Sequence, residues 1–371
     1  MALSDVTVKV NLVTSAGVEP VWYPLLLEEN DSVVPSIPYA ECNSLEQLAV
    51  LIADYKKSDD SAARKKKLAD AKKTKLYLSA YHMFLQENHP NRFAVCSIPG
   101  NTTIEDVKTA LEPYLDKGWR QLVPIYCNNV LFCLQLAEYI ENLEQRKMLF
   151  FEVGSPEAYS VTDTGSSKKY TLSDYTRTVA VYHPSCETFE GSQYPVCSVI
   201  GAIAGRAPGS INYRNIIVNG IAPVALTEEE LETLHTNGFM TLVERAGDVV
   251  TSQGKSASGE RYIDTIDIED YVVQQLIYVS QKALNVNATV PYNNDGISIL
   301  ENAAISVMLD CCDKGMIAKT DTNTYAYEVN YPAIGLVPEE DIASRMYKLG
   351  TVSFTVQGAI DKEEITVDMT L

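Results

Sequence analysis

The chain has 371 residues, 46% of them hydrophobic and 21% charged, with a formal net charge of −19. That length calls for two or three domains. The negative charge argues against a nucleic-acid partner, because phosphates are bound by Lys and Arg, and no run of about 18 apolar residues is present to cross a membrane.

The N-terminus, "MALSDVTVKVNLV", lacks the basic region and apolar block of a secretory signal, so folding in the cytoplasm without signal-peptide export is expected. Within it Val6, Val8 and Val10 alternate with polar residues and predict a strand. A loop rich in Pro and Glu is expected through about residue 40. A helix opens at "NSLEQLAVLIADYKK", where Ser44 and Gln47 have capping-box spacing. The basic segment "YKKSDDSAARKKKLADAKKTK", residues 55–75, then leads into one long helix stopped by Asn88-His89-Pro90. Its lysines, Lys65, Lys66 and Lys67 among them, read either as a solvated helix face or as a docking surface for acidic neighbours, including other copies of this chain.

From residue 93 strands and helices alternate. "RFAVCSI", "QLVPIYC", "KMLFFEV" and "RTVAVYH" read as strands, with helices at "NTTIEDVKTALEPYL" (Thr102 and Glu105 as a capping box) and "NNVLFCLQLAEYIENLEQR". Strands recurring about every 28 residues with helices between them predict βαβ units in a mostly parallel sheet. Beyond it come an apolar, small-residue helix in "YPVCSVIGAIAGRAPGSINY", an acidic helix from Thr227 to Asn237 closed by Gly238, and a hairpin around Gly247-Asp248. "RYIDTIDIEDYVVQQLIYVSQKAL" reads as a strand feeding a helix, followed by helices ending near Lys314 and over 338–348. The C-terminus, "GTVSFTVQGAIDKEEITVDMTL", predicts a hairpin between a strand marked by Val352, Phe354 and Val356 and one marked by Ile365, Val367 and Met369.

No constellation carries catalysis. Gly201, Gly205 and Gly209 are spaced by four and fit neither a phosphate loop nor a dinucleotide fingerprint; they read as packing residues. The four histidines, 82, 89, 183 and 235, have no metal-ligand spacing, and no Gly-x-Ser-x-Gly elbow occurs. Asp264, Asp267, Glu269 and Asp270 could gather a metal, but Asp267, Glu269 and Asp270 read more simply as first-turn acids of the helix they open, favoured by its dipole. The eight cysteines lack Cys-x-x-Cys pairing and lie in apolar runs, as buried thiols do. No catalytic, cofactor-binding or metal-binding residue is assigned, and no cofactor is expected.

Strand-forming ends without obvious partners are open edges. They can pair within one subunit, or they can add to a neighbour's sheet. Exchange between identical copies gives an open-ended filament.

The order of elements after residue 195 resembles the contractile tail sheath proteins of bacteriophages and phage-tail-like particles. The resemblance rests on "GAIAGRAPGSINYRNIIVNGIAPVALTEEELETLHTNGFMTLVERAGDVV", "RYIDTIDIEDYVVQQLIYVSQKAL" and "LGTVSFTVQGAIDKEEITVDMTL". The first 195 residues match in architecture only, and segment 55–75 has no counterpart in the pattern. The resemblance implies an α/β fold, α+β overall: an N-terminal strand arm (1–25), an outer domain with a mostly parallel sheet flanked by helices (26–195), and a core domain ending in a β-hairpin (196–371). It implies a homo-polymer of stacked rings that contracts around a tail tube, with tube, baseplate and tail terminator proteins as partners. The expected location is a virion tail or phage-tail-like particle assembled in the bacterial cytoplasm. Val6, Val8 and Val10 would be donated to a neighbour, with Val352, Phe354, Val356, Ile365, Val367 and Met369 lining the receiving hairpin. Lys65, Lys66, Lys67, Lys314, Arg345 and Lys348 are candidate charged contacts to other subunits or the tube. The alternatives are another self-assembling baseplate component, or a nucleotide-dependent α/β enzyme.

Overall fold

The computed structural model describes residues 22–30, 37–54, 56, 59–99, 103–125, 129–157, 159–188 and 191–361. The chain forms two compact units, Met1–Ile277 and Tyr278–Leu371. The boundary expected at 195/196 falls inside the first unit, because strands on both sides of it join one sheet.

In chain order the first unit contains β1 (Tyr23–Asn30), β2 (Ala40–Cys42), α1 (Leu45–Ala53), α2 (Ser61–Ala71), α3 (Lys75–Phe84), β3 (Phe93–Pro99) and α4 (Ile104–Leu111). It continues with β4 (Trp119–Ile125), α5 (Val130–Glu141), β5 (Met148–Val153), a small hairpin of β6 (Ser160–Thr162) and β7 (Lys169–Thr171), and β8 (Thr178–Tyr182). Then come α6 (Pro195–Ile203), α7 (Glu228–Thr236), β9 (Phe239–Arg245), β10 (Asp248–Thr251) and most of α8 (Ile263–Val286).

Eight strands make one sheet in the order β10-β9-β8-β5-β4-β1-β3-β2. Its inner pairs are parallel, and β2 and β10 close the edges antiparallel. The mostly parallel sheet expected from the alternation is therefore present, but it contains an interior strand that the sequence reading did not place. The segment expected as loop contains β1, "YPLLLEEN", paired to β3 on one side and β4 on the other. Leu25, Leu26 and Leu27 are all buried. A strand covered on both faces shows no alternation, so its pattern is a short apolar run rather than a period of two. Each such leucine contributes roughly 1.5–3 kcal/mol of burial.

The faces of the sheet sort residue by residue. Leu26, Val95, Val123, Phe150 and Val181 point to one core with α1, α3 and α6. Leu25, Leu27, Cys96, Leu122, Leu149, Phe151 and Ala180 point to the other, with α4, α5 and α7.

Local signals explain the element ends, with some shifts. The long basic helix is two: Asp60 caps α2 and Thr74 caps α3, each accepting from a backbone N–H three residues on. The capping box of α4 is Thr103 with Asp106, one residue later than the Thr102–Glu105 pair. The α7 box is Thr227 with Glu230, and Gly238 follows at φ +87. Ala246 and Gly247 both take the left-handed conformation between β9 and β10, as a tight two-residue hairpin turn requires.

α6 carries the small-residue stripe. A Cβ at Gly201 would lie 2.2 Å from the Met83 carbonyl oxygen, and one at Gly205 would lie 2.3 Å from that of Asn88. The glycines permit close approach of α6 to α3 and the loop after it, the packing role expected of them. Among the described residues seven cysteines are free and buried, and no helix is long and apolar enough to cross a membrane.

The second unit holds the end of α8, then α9 (Asn294–Asp313), β11 (Tyr327–Asn330), α10 (Glu339–Ala343) and β12 (Thr351–Phe354). α10 stops at Ala343, short of the expected 348, because Arg345 turns left-handed at φ +56. Stacked rings of Tyr331 and Tyr347, with centroids 5.8 Å apart, brace the return to β12. Tyr347 Oη donates to the Pro332 carbonyl at 2.7 Å.

Candidate assembly site

Two features combine chemistry with position: a buried ionic anchor under α8, and the strand pair β11–β12.

The anchor is built from residues that enter three parallel strands. Arg120 opens β4, Arg146 precedes β5 and Arg177 precedes β8. α8 brings Asp267, Asp270, Tyr271 and Gln274 onto one stripe, since positions i, i+3, i+4 and i+7 share a helix face. Arg120 Nη2 reaches Asp267 at 2.8 Å and Asp270 at 2.7 Å. Arg146 Nη1 reaches Asp270 at 2.6 Å, and Arg177 grips both oxygens of the same carboxylate at 2.8 and 3.0 Å. Tyr213 Oη donates to Asp267, and Arg120 Nη1 to the Arg146 carbonyl. Trp22 lies over the Arg120 guanidinium at 4.8 Å and donates to Gln274 at 2.8 Å.

Burial pushes the Asp270 carboxyl up, but Arg120, Arg177 and Arg146 outweigh it and hold the group well below the usual carboxylate range. Burial also pushes Asp267 up, against the pull of Arg120 and Tyr213.

This corrects the first-turn reading of the acidic residues. α8 begins at Ile263, so Asp264 occupies its first turn. Asp267 and Asp270 lie a turn or more inside and neutralise buried guanidiniums, while Glu269 forms a half-exposed pair with Arg261 at 2.5 Å. Asp267, Glu269 and Asp270 are thus committed to arginines, and among the described residues no group of His, Cys, Asp or Glu is arranged to hold a metal. Spacing along α8 alone could not reveal this. The usable signal was an arginine at the mouth of three successive strands, in "WRQLVPI", "RKMLFFEV" and "RTVAVYH".

At the opposite end of β5, Glu152 is buried and accepts from Val196 N, at the start of α6, at 3.2 Å. Burial pushes its carboxyl up to about 7. The histidines occupy separate structural niches: His183 contacts the Ala222 carbonyl at 2.9 Å, His235 the Ser252 hydroxyl at 2.9 Å, and His89 stacks on Phe84.

In the second unit β12 runs antiparallel to β11, pairing Tyr327 with Phe354 and Val329 with Val352. Past Phe354 the strand passes to another segment: Ala318 N donates to the Thr355 carbonyl at 2.8 Å, and Val356 bridges Ile317. Val352, Phe354 and Val356 are half-buried on one face with Tyr327 and Val329, while Thr351, Ser353 and Thr355 are exposed. The first strand of the expected hairpin is therefore present, paired with 327–330. Ile365, Val367 and Met369, like Val6, Val8 and Val10, lie outside the described residues.

The candidate charged contacts are dispersed. Lys65 and Lys66 are exposed on α2, while Lys67 pairs with Asp59 at 2.8 Å. Lys314 caps α9 and pairs with Asp310 at 2.6 Å. Lys348 pairs with Asp341, and Arg345 is exposed in its left-handed turn.

No family model matches the sequence, and no curated protein matches it. Solved structures do match, over almost the whole chain. A chain of the anti-feeding prophage baseplate has a TM-score of 0.65 at 12% identity, covering 97% of this chain and 96% of that one. The anti-feeding prophage helical sheath in its contracted state gives 0.61 at 14%, covering 100% and 95%. The PVC sheath complex of an extracellular contractile injection system, also contracted, gives 0.61 at 13%, covering 96% and 93%. With both chains covered almost end to end, the chain has the fold of the contractile tail sheath proteins.

Proposed function

We propose that this protein is the repeating subunit of a contractile tail sheath. It polymerises helically around a tail tube, held at its ends by baseplate and terminator proteins, and contracts to drive the tube through a target envelope. The work is mechanical and involves no bond chemistry: release lets one packing of subunits give way to another of lower energy. Its place is the tail of a virion or of a phage-tail-like particle.

The observation that carries this reading is the near-complete mutual coverage with sheath structures. β12 supports the manner of linkage. A two-stranded sheet is marginal alone, and its half-buried Val352, Phe354 and Val356 offer a template for a further strand. In this reading a neighbour donates the segment of Val6, Val8 and Val10, and Ile365, Val367 and Met369 complete the receiving layer. Main-chain hydrogen bonds provide attachment and alternate side chains set register. One observation favours a second reading, a self-assembling baseplate component: the match to a baseplate chain.

Negative-stain microscopy of the concentrated recombinant protein tests these readings. Rigid tubes are expected of a sheath, and rings or discrete complexes of a baseplate component. A small closed oligomer would overturn both and return attention to an enzyme on the α/β unit.

A further inference from the structure

Two helices on opposite faces of the large sheet carry opposite charge. α2 lies on the side of α1 and α3, with Leu68 and Ala71 turned to that core. α7 lies on the other side, with Leu231 and Leu234 turned to the core there. Segment 55–75, which contains α2, holds nine Lys and Arg against three Asp in a chain whose net charge is −19. Lys65, Lys66 and Lys72 are exposed, and none is in an ion pair among the described residues. At about 100° per residue they span an arc of ~120°, with Lys72 at the C-cap of α2.

On α7, Glu228, Glu229 and Glu232 are likewise exposed and in no ion pair among the described residues. They span a comparable arc of ~100°. Several other acids on that side are already engaged. Glu105 pairs with Lys108, Glu138 with Lys168, Asp106 and Glu230 close capping boxes, and Glu141 accepts from Arg177 N and Thr176.

From this charge complementarity we infer that the Lys65–Lys66–Lys72 face of α2 docks on the Glu228–Glu229–Glu232 face of α7 in the next copy of the chain. The contact joins different surfaces of the two copies, so it propagates head to tail and does not close by two-fold symmetry. It needs no apolar patch and is weakened by salt, because exposed charges beyond a Debye length of about 8 Å are screened at physiological ionic strength. Such a contact suits an interface that must let go and re-form. The inference rests on the sheath reading and names a surface that this reading does not require.

Charge reversal tests it. One variant carries Lys65→Glu, Lys66→Glu and Lys72→Glu; a second carries Glu228→Lys, Glu229→Lys and Glu232→Lys; a third carries all six. Pelleting at 0.15 M salt is expected to recover wild-type tubes, to lose them for each triple variant alone, and to regain them for the sixfold variant and for a 1:1 mixture of the triples. Circular dichroism checks folding, and neutral Gln versions of the triples, expected to lose tubes partially, guard against local effects of reversal on the helices. Tubes formed normally by either triple variant, or no rescue by the folded sixfold variant, would overturn the contact and leave the sheath reading standing. A wild-type protein that stays monomeric would remove both. Loss of binding to phosphatidylserine vesicles or single-stranded DNA on reversing α2, with tubes unchanged, would assign the face to another anionic partner.

Discussion

Arg120 Nη2 and Asp270 Oδ2 lie 2.7 Å apart in the interior of the first unit, with both side chains almost wholly out of solvent. Two more guanidiniums, of Arg146 and Arg177, close on the same carboxylate. One aspartate therefore fastens α8 to the entrances of β4, β5 and β8, three strands that share no local sequence with it. Such a cluster is specific rather than strongly stabilising as a whole, because desolvation offsets most of the attraction. Removing one member is a different matter.

Asp270→Asn leaves three buried guanidiniums short of a charge and should cost about 3–5 kcal/mol in urea unfolding. Glu269→Gln, one residue away on the half-exposed pair with Arg261, should cost roughly 0–1 kcal/mol because solvent screens that pair. Equal effects would mean the cluster is not an anchor. Asp270 is held below the usual carboxylate range in the fold. Its stabilisation is therefore present in full above the unfolded value of about 3.9 and is lost as pH falls below it toward the folded value. Wild type should lose this advantage over Asp270→Asn only in acid.

Glu152 has the opposite sign. Its folded value of about 7 exceeds the unfolded value of about 4.3, so between them the native state binds a proton that the unfolded chain does not. Stability falls as pH rises through this window, and the full penalty, roughly 4 kcal/mol, applies above it. Glu152→Gln should match wild type near pH 4 and exceed it by about that amount at pH 8. A difference independent of pH would reject burial of an ionisable group as the cause.

Gly201→Ala should destabilise by about 1–3 kcal/mol or more, since its methyl group meets the backbone of α3 rather than a side chain that can move. Gly335→Ala, where nothing lies within 4 Å of the new methyl, should stay within about 0.5 kcal/mol of wild type. Thermal melts of the two variants decide the point.

Phe354→Asp should abolish tube formation while the near-wild-type melt of the first unit is kept, because an aspartate on the half-buried face of β12 blocks an added strand. If the N-terminal segment is donated as proposed, deletion of residues 1–13 should do the same. Long normal cylinders from either protein, seen by microscopy, would refute strand exchange.

Much of the first unit was legible before folding. β3, β4, β5 and β8 follow apolar runs, and α5 and α7 follow a helical period, with α7 capped at its expected ends, as both depend on residues within a few positions. The glycine spacing of α6 correctly indicated close packing, because a missing side chain matters wherever a neighbour comes near. β1 was hidden between Pro and Glu, and its three leucines are buried on both faces, which erases the alternation that marks a strand. The arginine anchor was hidden for a different reason: its carboxylates had a satisfactory local explanation as helix-dipole partners.

The sequence by itself determined most of the inventory: whether most segments other than β1 are helix or strand, where most of them stop, and that the chain alternates them to build a covered parallel sheet. Tertiary structure alone decided the partners. It placed β1 inside the sheet between β4 and β3, joined β9 and β10 to that sheet across the expected domain boundary, matched β12 with β11, and turned Asp267 and Asp270 from the dipole of their own helix to Arg120, Arg146 and Arg177. The physical reason is range. Periodicity and capping record each residue's own surroundings along the chain, whereas backbone pairing and ion pairing join groups that every strand or every charged residue offers alike. Which of them meet is settled only when the whole chain packs.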